Sequence, residues 1–285
     1  MPTNINLPNI NLNDPMVQTY AIPLLASLLA FGLIRFFMGG VRGAMLASLG
    51  VGIGFLTAFI MLKGVPLWPV TSAVHLMGWL VIGGLILGLL LDLIDPPEGL
   101  VKILSFALPV VIVFWLGFLL KGNRLSVELA LTYGALMAVG YLAFDRLNHD
   151  RDHGVSSPIA GAMAALGLGL VAHYSKHSFA PLAFALALSS LAFAIWNWPR
   201  SRFPWGWSGT LLTAGPLLLI AATMVLSRNG MGFVTLMALM ALLSKPIADW
   251  LIPSRGMAAA FVQIFVGTLP ILAAVASVHF NLRPF

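Results

Sequence analysis

The segment ALLSKPIADW, residues 241–250, carries a lysine and an aspartate inside an otherwise apolar run. Lys245 and Asp249 stand four positions apart, so a helix places both on one face. Pro246 lies between them, frees a backbone carbonyl and is expected to kink the span. Ionisable groups inside a span are costly and mark substrate or ion pathways in many proteins. Lys245 also sits only about 9 Å along a helix from the span's end, close enough to snorkel to the interface. Transport chemistry and plain interfacial solvation therefore both account for this pair.

Histidines form the second group. His149/His153 in NHDRDH and His173/His177 in HYSKH have HxxxH spacing, which on a helix puts both imidazoles on one face, able to share a metal. The boxes of membrane di-iron hydroxylases and desaturases resemble them. Those enzymes use further boxes with adjacent histidines, however, and this chain has six histidines and no His-His pair. The two pairs also flank a single span, which puts them roughly 30 Å apart. A different grouping is His75, His173, His177 and His279, which the span order places on one face. Imidazole suits Zn, Cu or Fe, so a metal or haem site is the chemistry this set would support; no cofactor is otherwise expected.

GWSG at 206–209 resembles the nucleophile motif of the rhomboid intramembrane proteases. A dyad needs a histidine at matching depth, and His279 falls at the far end of its span from Ser208, so the match is read as chance. The chain contains no phosphate-binding loop, no HExxH and no acid pair at mid-membrane depth. No catalytic constellation emerges, and a non-enzymatic role is expected.

One phrase occurs twice: DLIDPPEG at 92–99 and DWLIPSRG at 249–256. At offsets of 157 or 158, Pro23-Leu24 also meets Pro181-Leu182, and Arg42 meets Arg200. With a four-residue slip, Leu108-Pro109 meets Leu269-Pro270. The chain could thus carry a parallel repeat, with halves 18–120 and 176–280 joined by spans at 126–144 and 156–173. Shared hairpin grammar explains the phrase equally well, since Pro suits a first helical turn and Glu98 complements its dipole. Under either reading Arg42, Arg200, Asp92, Asp95, Asp249 and Arg255 lie on one membrane face. Interfacial ion pairing is one role for them and gating of a central pathway the other.

The elements that must position these groups follow from composition. Of 285 residues, 60% are hydrophobic and only 8% charged, with a mean hydropathy of +0.98. A soluble domain carries about a quarter charged residues, so the outer solvent here is lipid. The basic pI of about 10.1 reflects nine acids against fifteen scattered Lys and Arg, a pattern that suits headgroups and not nucleic acid. No cysteine is present, which rules out disulfides and thiolate chemistry. The opening MPTNINLPNINLNDP lacks Lys and Arg and is read, with the residues to 17, as a short retained polar tail.

Apolar runs of about 20 residues occur at 18–36, 43–62, 74–95, 99–119, 126–144, 156–173, 178–196, 208–226, 231–251 and 256–279. Continuous apolarity selects helices over a barrel, giving an all-α polytopic bundle of about ten spans in a single domain, 18–285. Gly50/Gly54 and Gly84/Gly88 have the small-xxx-small spacing that lets helices approach, or that lines a path with bare backbone. Trp196, Trp198, Trp205 and Trp207 are expected in an interfacial aromatic belt. Eight Lys and Arg fall in connections on one face against six on the other, which favours both termini outside, in a bacterial inner membrane.

In size and span number the chain resembles the drug/metabolite transporters. Their inverted five-plus-five repeat differs from the parallel six-span offset here, so the likeness extends to size alone. A small-solute or lipid-precursor permease, with its pathway between the repeat halves, is the expectation. A non-catalytic subunit contacting other membrane proteins is the alternative, and a metalloprotein using the four histidines is the third.

Overall fold

A computed structural model describes residues 14–122, 126–149, 155–198, 203–227, 231–251 and 257–280, without the side chains of Val41, Arg42 and Met257. Among them no strand occurs and helices account for almost everything. A π-helical turn at Val17–Ala21 leads into α1 (Ile22–Met38), followed by α2 (Gly40–Leu46), α3 (Leu49–Lys63), α4 (Ala73–Ile94) and α5 (Glu98–Lys121). Then come α6 (Val127–His149), α7 (Ser156–Tyr174), α8 (Ala180–Trp196) and α9 (Gly206–Ser227). Finally α10 (Gly232–Leu239), a 3₁₀ turn at Met240–Leu243, α11 (Ser244–Leu251) and α12 (Met257–His279) complete the fold.

Among the described residues nine helical segments are long and apolar enough to cross a membrane. α8 is apolar but has 17 residues, about 25 Å of helix; it is buried along most of its length, so few of its residues meet lipid. The protein is thus an integral membrane protein, an all-α multi-pass bundle in contact with the bilayer. Two of the expected spans are broken. The run at 43–62 divides into α2 and α3 at Ala47–Ser48, where Gly50 and Val51 N–H groups donate to carbonyls three residues back. The run at 231–251 divides at the 3₁₀ turn, just ahead of Pro246. That proline has no N–H for the Leu242 carbonyl, and its ring crowds the preceding turn.

Cross-bundle contacts sort the helix ends onto two faces. On one, the end of α4 meets the start of α9, and Gln263 near the start of α12 donates to the Ser156 carbonyl at the start of α7. On the other, His177 after α7 meets Ser227 at the end of α9, and Tyr174 stacks edge-on against His279. Helix direction therefore alternates, and spans separated by six run the same way.

The centre of the bundle belongs to α9 and α7, 94% and 83% buried, against 22–56% for the other eligible segments. Both are built from small residues and hydroxyls, which let neighbours approach where no hydrophobic effect draws helices together within lipid. The greasiest helix, α5, lies outside with a third of its span buried. Two glycines show how close the approach is. A Cβ at Gly54 would stand 2.6 Å from the Pro23 carbonyl oxygen of α1, and one at Gly88 would stand 2.7 Å from the Ser208 Cα of α9. Gly50 and Gly84 face Phe31 and Leu212 in the same seams, so all four glycines serve helix packing.

The expected aromatic belt is only partly such. Trp198 is exposed, but Trp205 and Trp207 are fully buried. Gly209 leaves room for the Trp205 ring, which meets Phe193 edge-on at 5.1 Å.

Candidate functional site

Asp92 ends α4 as a buried side chain, 7% exposed. One carboxylate oxygen accepts the Trp207 N–H at 2.6 Å; the other accepts the Ser208 N–H at 3.1 Å and the Ser208 hydroxyl. These N–H groups belong to the first turn of α9, which has no internal partners for them. The carboxylate thus caps α9 from a different helix and places a negative charge against its positive dipole end. Gly206, with φ 64°, makes the approach feasible, because a Cβ there would stand 2.8 Å from the carboxylate. The serine of GWSG accordingly meets a carboxylate, while His279 lies on the opposite face.

Asp95 is exposed and takes a left-handed conformation, φ 48°, that terminates α4. Arg42 lies in α2 with its side chain outside the described set, and Arg200 and Arg255 lie outside the described residues. The two aspartates of the repeated phrase do different things: Asp92 is buried as a cap, whereas Asp249 is half-exposed and pairs with Lys245 at 2.5 Å.

Lys245 and Asp249 form one wall of a cavity of about 150 Å³. The opposite walls are Arg146 and His149 from the last turn of α6 and Ser156 and Ser157 from the first turn of α7. A single water needs about 10–15 Å³ of such space, so a group of several heavy atoms fits. Pro246 and Leu242 line the same cavity, so the break in the ninth span is what turns Lys245 and Asp249 toward α6 and α7. Among the described residues the Ser156 and Ser157 hydroxyls and the Arg146 Nε are fully buried and have no hydrogen-bond partner. No side chain caps α7, whose preceding residue is Val155. The residues lining the cavity therefore include two basic side chains, Arg146 and Lys245, and His149, with the Asp249 carboxylate already paired to Lys245.

Sequence reasoning picked out Lys245 and Asp249 but not their companions. Arg146 is one of the eight bases in the connections of the richer face, and His149 is read only beside His153, which lies outside the described residues. The available signal was the pair Arg146 and His149 at helical spacing, followed by SSP opening the next span.

The four-histidine grouping is not assembled. The His75 Nδ1 accepts the Leu67 N–H at 3.0 Å, and the His177 Nε2 lies 3.0 Å from the Ser227 hydroxyl. His173 and His279 flank the ring of Tyr174. Among the described residues no three His, Asp or Glu side chains come close enough together to hold a metal ion. No protein-family model matches the chain, and no curated protein matches it.

Proposed function

We propose that this protein is a transporter that moves a small solute or lipid precursor across the bilayer, with the cavity between α6, α7 and α11 as its binding site. The observation that carries the proposal is the broken ninth span, whose α10–3₁₀–α11 interruption turns an ion pair into a cavity also lined by Arg146 and His149. Discontinuous helices with their ends at a polar cavity are the way transporters build substrate sites inside lipid. The Lys245–Asp249 pair suits a gate: both side chains are partly exposed, 26% and 48%, so exchanging this contact for one with a solute costs little. The cavity occupies the face richer in Lys and Arg, which supports reading that face as the cytoplasmic side of an inner membrane, with both termini outside.

Proteoliposomes carrying the purified protein test this, challenged in turn with organic anions, sugar phosphates, amines and a fluorescent phospholipid. At least one class should cross faster than in protein-free vesicles, and the combined Lys245→Gln and Asp249→Asn change should abolish that flux while gel filtration stays unchanged. Movement of none of the classes, or wild-type flux in the double variant, overturns the proposal.

A further inference from the structure

Leu67, between α3 and α4, is tied down through both of its backbone groups. Its N–H donates to the His75 Nδ1 at 3.0 Å, and its carbonyl accepts the Trp79 Nε1–H at 3.1 Å. His75 and Trp79 stand four apart in the first two turns of α4, so they share a face and grip one residue of the link 64–72. Two packing contacts complete the attachment. Trp68 meets Trp79 edge-on at 5.9 Å, and a Cβ on Gly78 would stand 2.6 Å from the Pro66 Cβ. The side chains of Val65, Leu67 and Trp68 are exposed, so little else holds the link.

An imidazole nitrogen that accepts an N–H must carry a lone pair, so His75 is neutral here, with its proton on Nε2. Protonation puts a hydrogen on Nδ1, and two donors then face each other. The bond cannot reverse direction, because a backbone amide nitrogen donates and does not accept.

The surroundings give the charged ring no compensation. α3, α5 and α9 pack against α4. At this end of the bundle their ionisable groups are Lys63, closing α3, and Lys121, closing α5, while the last turn of α9 has none. His177, which bonds Ser227 at the end of α9, adds a second imidazole. The link 64–72 holds no charged residue; 123–125 and 228–230, outside the described residues, contain Arg124 and Arg228 and no acid. α2, with Arg42, also touches α4 but precedes α3 and lies at its far end. The described acids of this face are Asp14, ahead of α1, and Glu128, opening α6, and those two helices pack against others. Each ionisable group facing this end of α4 is thus a base or an imidazole.

We propose that His75 is a protonation switch, which pins the α3–α4 link to α4 while neutral and releases it when charged. Histidine changes charge between about pH 5 and 8, so the link is held at the upper end of that range and freed at the lower. It lies on the face opposite the Lys245–Asp249 cavity, and the switch is independent of the transport proposal.

Hydrogen–deuterium exchange at the Leu67 amide reads the switch, on the full chain in phosphatidylcholine nanodiscs at about pH 8 and about pH 5. Each rate is divided by that of an unstructured peptide at the same pH. Wild-type protection should fall about tenfold on acidification, the loss of one hydrogen bond. His75→Asn keeps an acceptor oxygen near the Nδ1 position and cannot charge, so Leu67 should stay protected at both pH values. His75→Ala should leave it unprotected at both. Trp79→Phe removes the other tether and should lower protection while the acid step persists. Equal wild-type protection at the two pH values overturns the switch. An acid step of the same size in His75→Asn also overturns it, since another group would then be responsible.

Discussion

Asp92 and Asp249 occupy matching places in two similar phrases, yet their surroundings assign them opposite kinds of work. Asp92 accepts three hydrogen bonds at a helix terminus with water excluded. Bonds to a charged acceptor are worth about 1.5–3 kcal/mol each when buried, and truncation strands the donors. Asp92→Ala is therefore expected to destabilise the protein by about 2 kcal/mol or more, and Asp92→Asn by less, since one acceptor oxygen survives. Thermal unfolding in detergent measures both, and equal melting for Asp92→Ala and wild type would dispose of the cap. Asp249 is different. An exposed pair four residues apart contributes about 0.3–0.5 kcal/mol, so Asp249→Asn should barely move the melting temperature while changing ligand affinity. The difference between the two carboxylates was invisible in DLIDPPEG and DWLIPSRG, because the partners of Asp92 lie 115 and 116 residues away.

Helix limits were legible and helix neighbours were not. The run expected at 99–119 is α5, Glu98–Lys121, and the run at 74–95 is α4, Ala73–Ile94. Apolar length and flanking charge set such limits locally. That α9 and α7 lie at the centre could not be inferred from length, although their small residues and hydroxyls were a usable hint. Inside lipid, packing rests on close backbone approach, which makes particular glycines decisive. Gly88→Ala should be destabilising by about 1–3 kcal/mol, because its Cβ would press on the backbone of α9 at 2.7 Å. Gly83, five residues earlier on the same helix, has no atom within 4 Å of such a Cβ, so Gly83→Ala should be neutral or stabilising by about 0.5–1 kcal/mol. Melting temperatures of the two variants compared side by side decide it. Equal effects would mean that the α4–α9 seam is looser than described. The break in the ninth span belongs here too: Pro246 forecast a kink, but only the fold turns that kink toward α6 and α7.

Across the whole bundle, alternation of direction puts Glu98 and Trp250 on one face and Lys63 and Lys121 on the other. The chain has no cysteine, so single introduced thiols report cleanly. A membrane-impermeant maleimide should label Glu98→Cys and Trp250→Cys from one side only, and Lys63→Cys and Lys121→Cys from the opposite side only. Labelling of any one of them from the wrong side would break the alternation, and with it the cavity's place on the basic face. Residue order alone determined that the chain is an all-α multi-pass membrane protein, because run length against bilayer thickness is a property of consecutive residues. It did not settle which helices are shielded from lipid, which carboxylate caps a distant helix, or that Arg146, Ser156, Ser157 and Lys245 share one cavity. Those depend on side chains far apart in the chain meeting in space, and small residues permit many helix pairings until packing selects one.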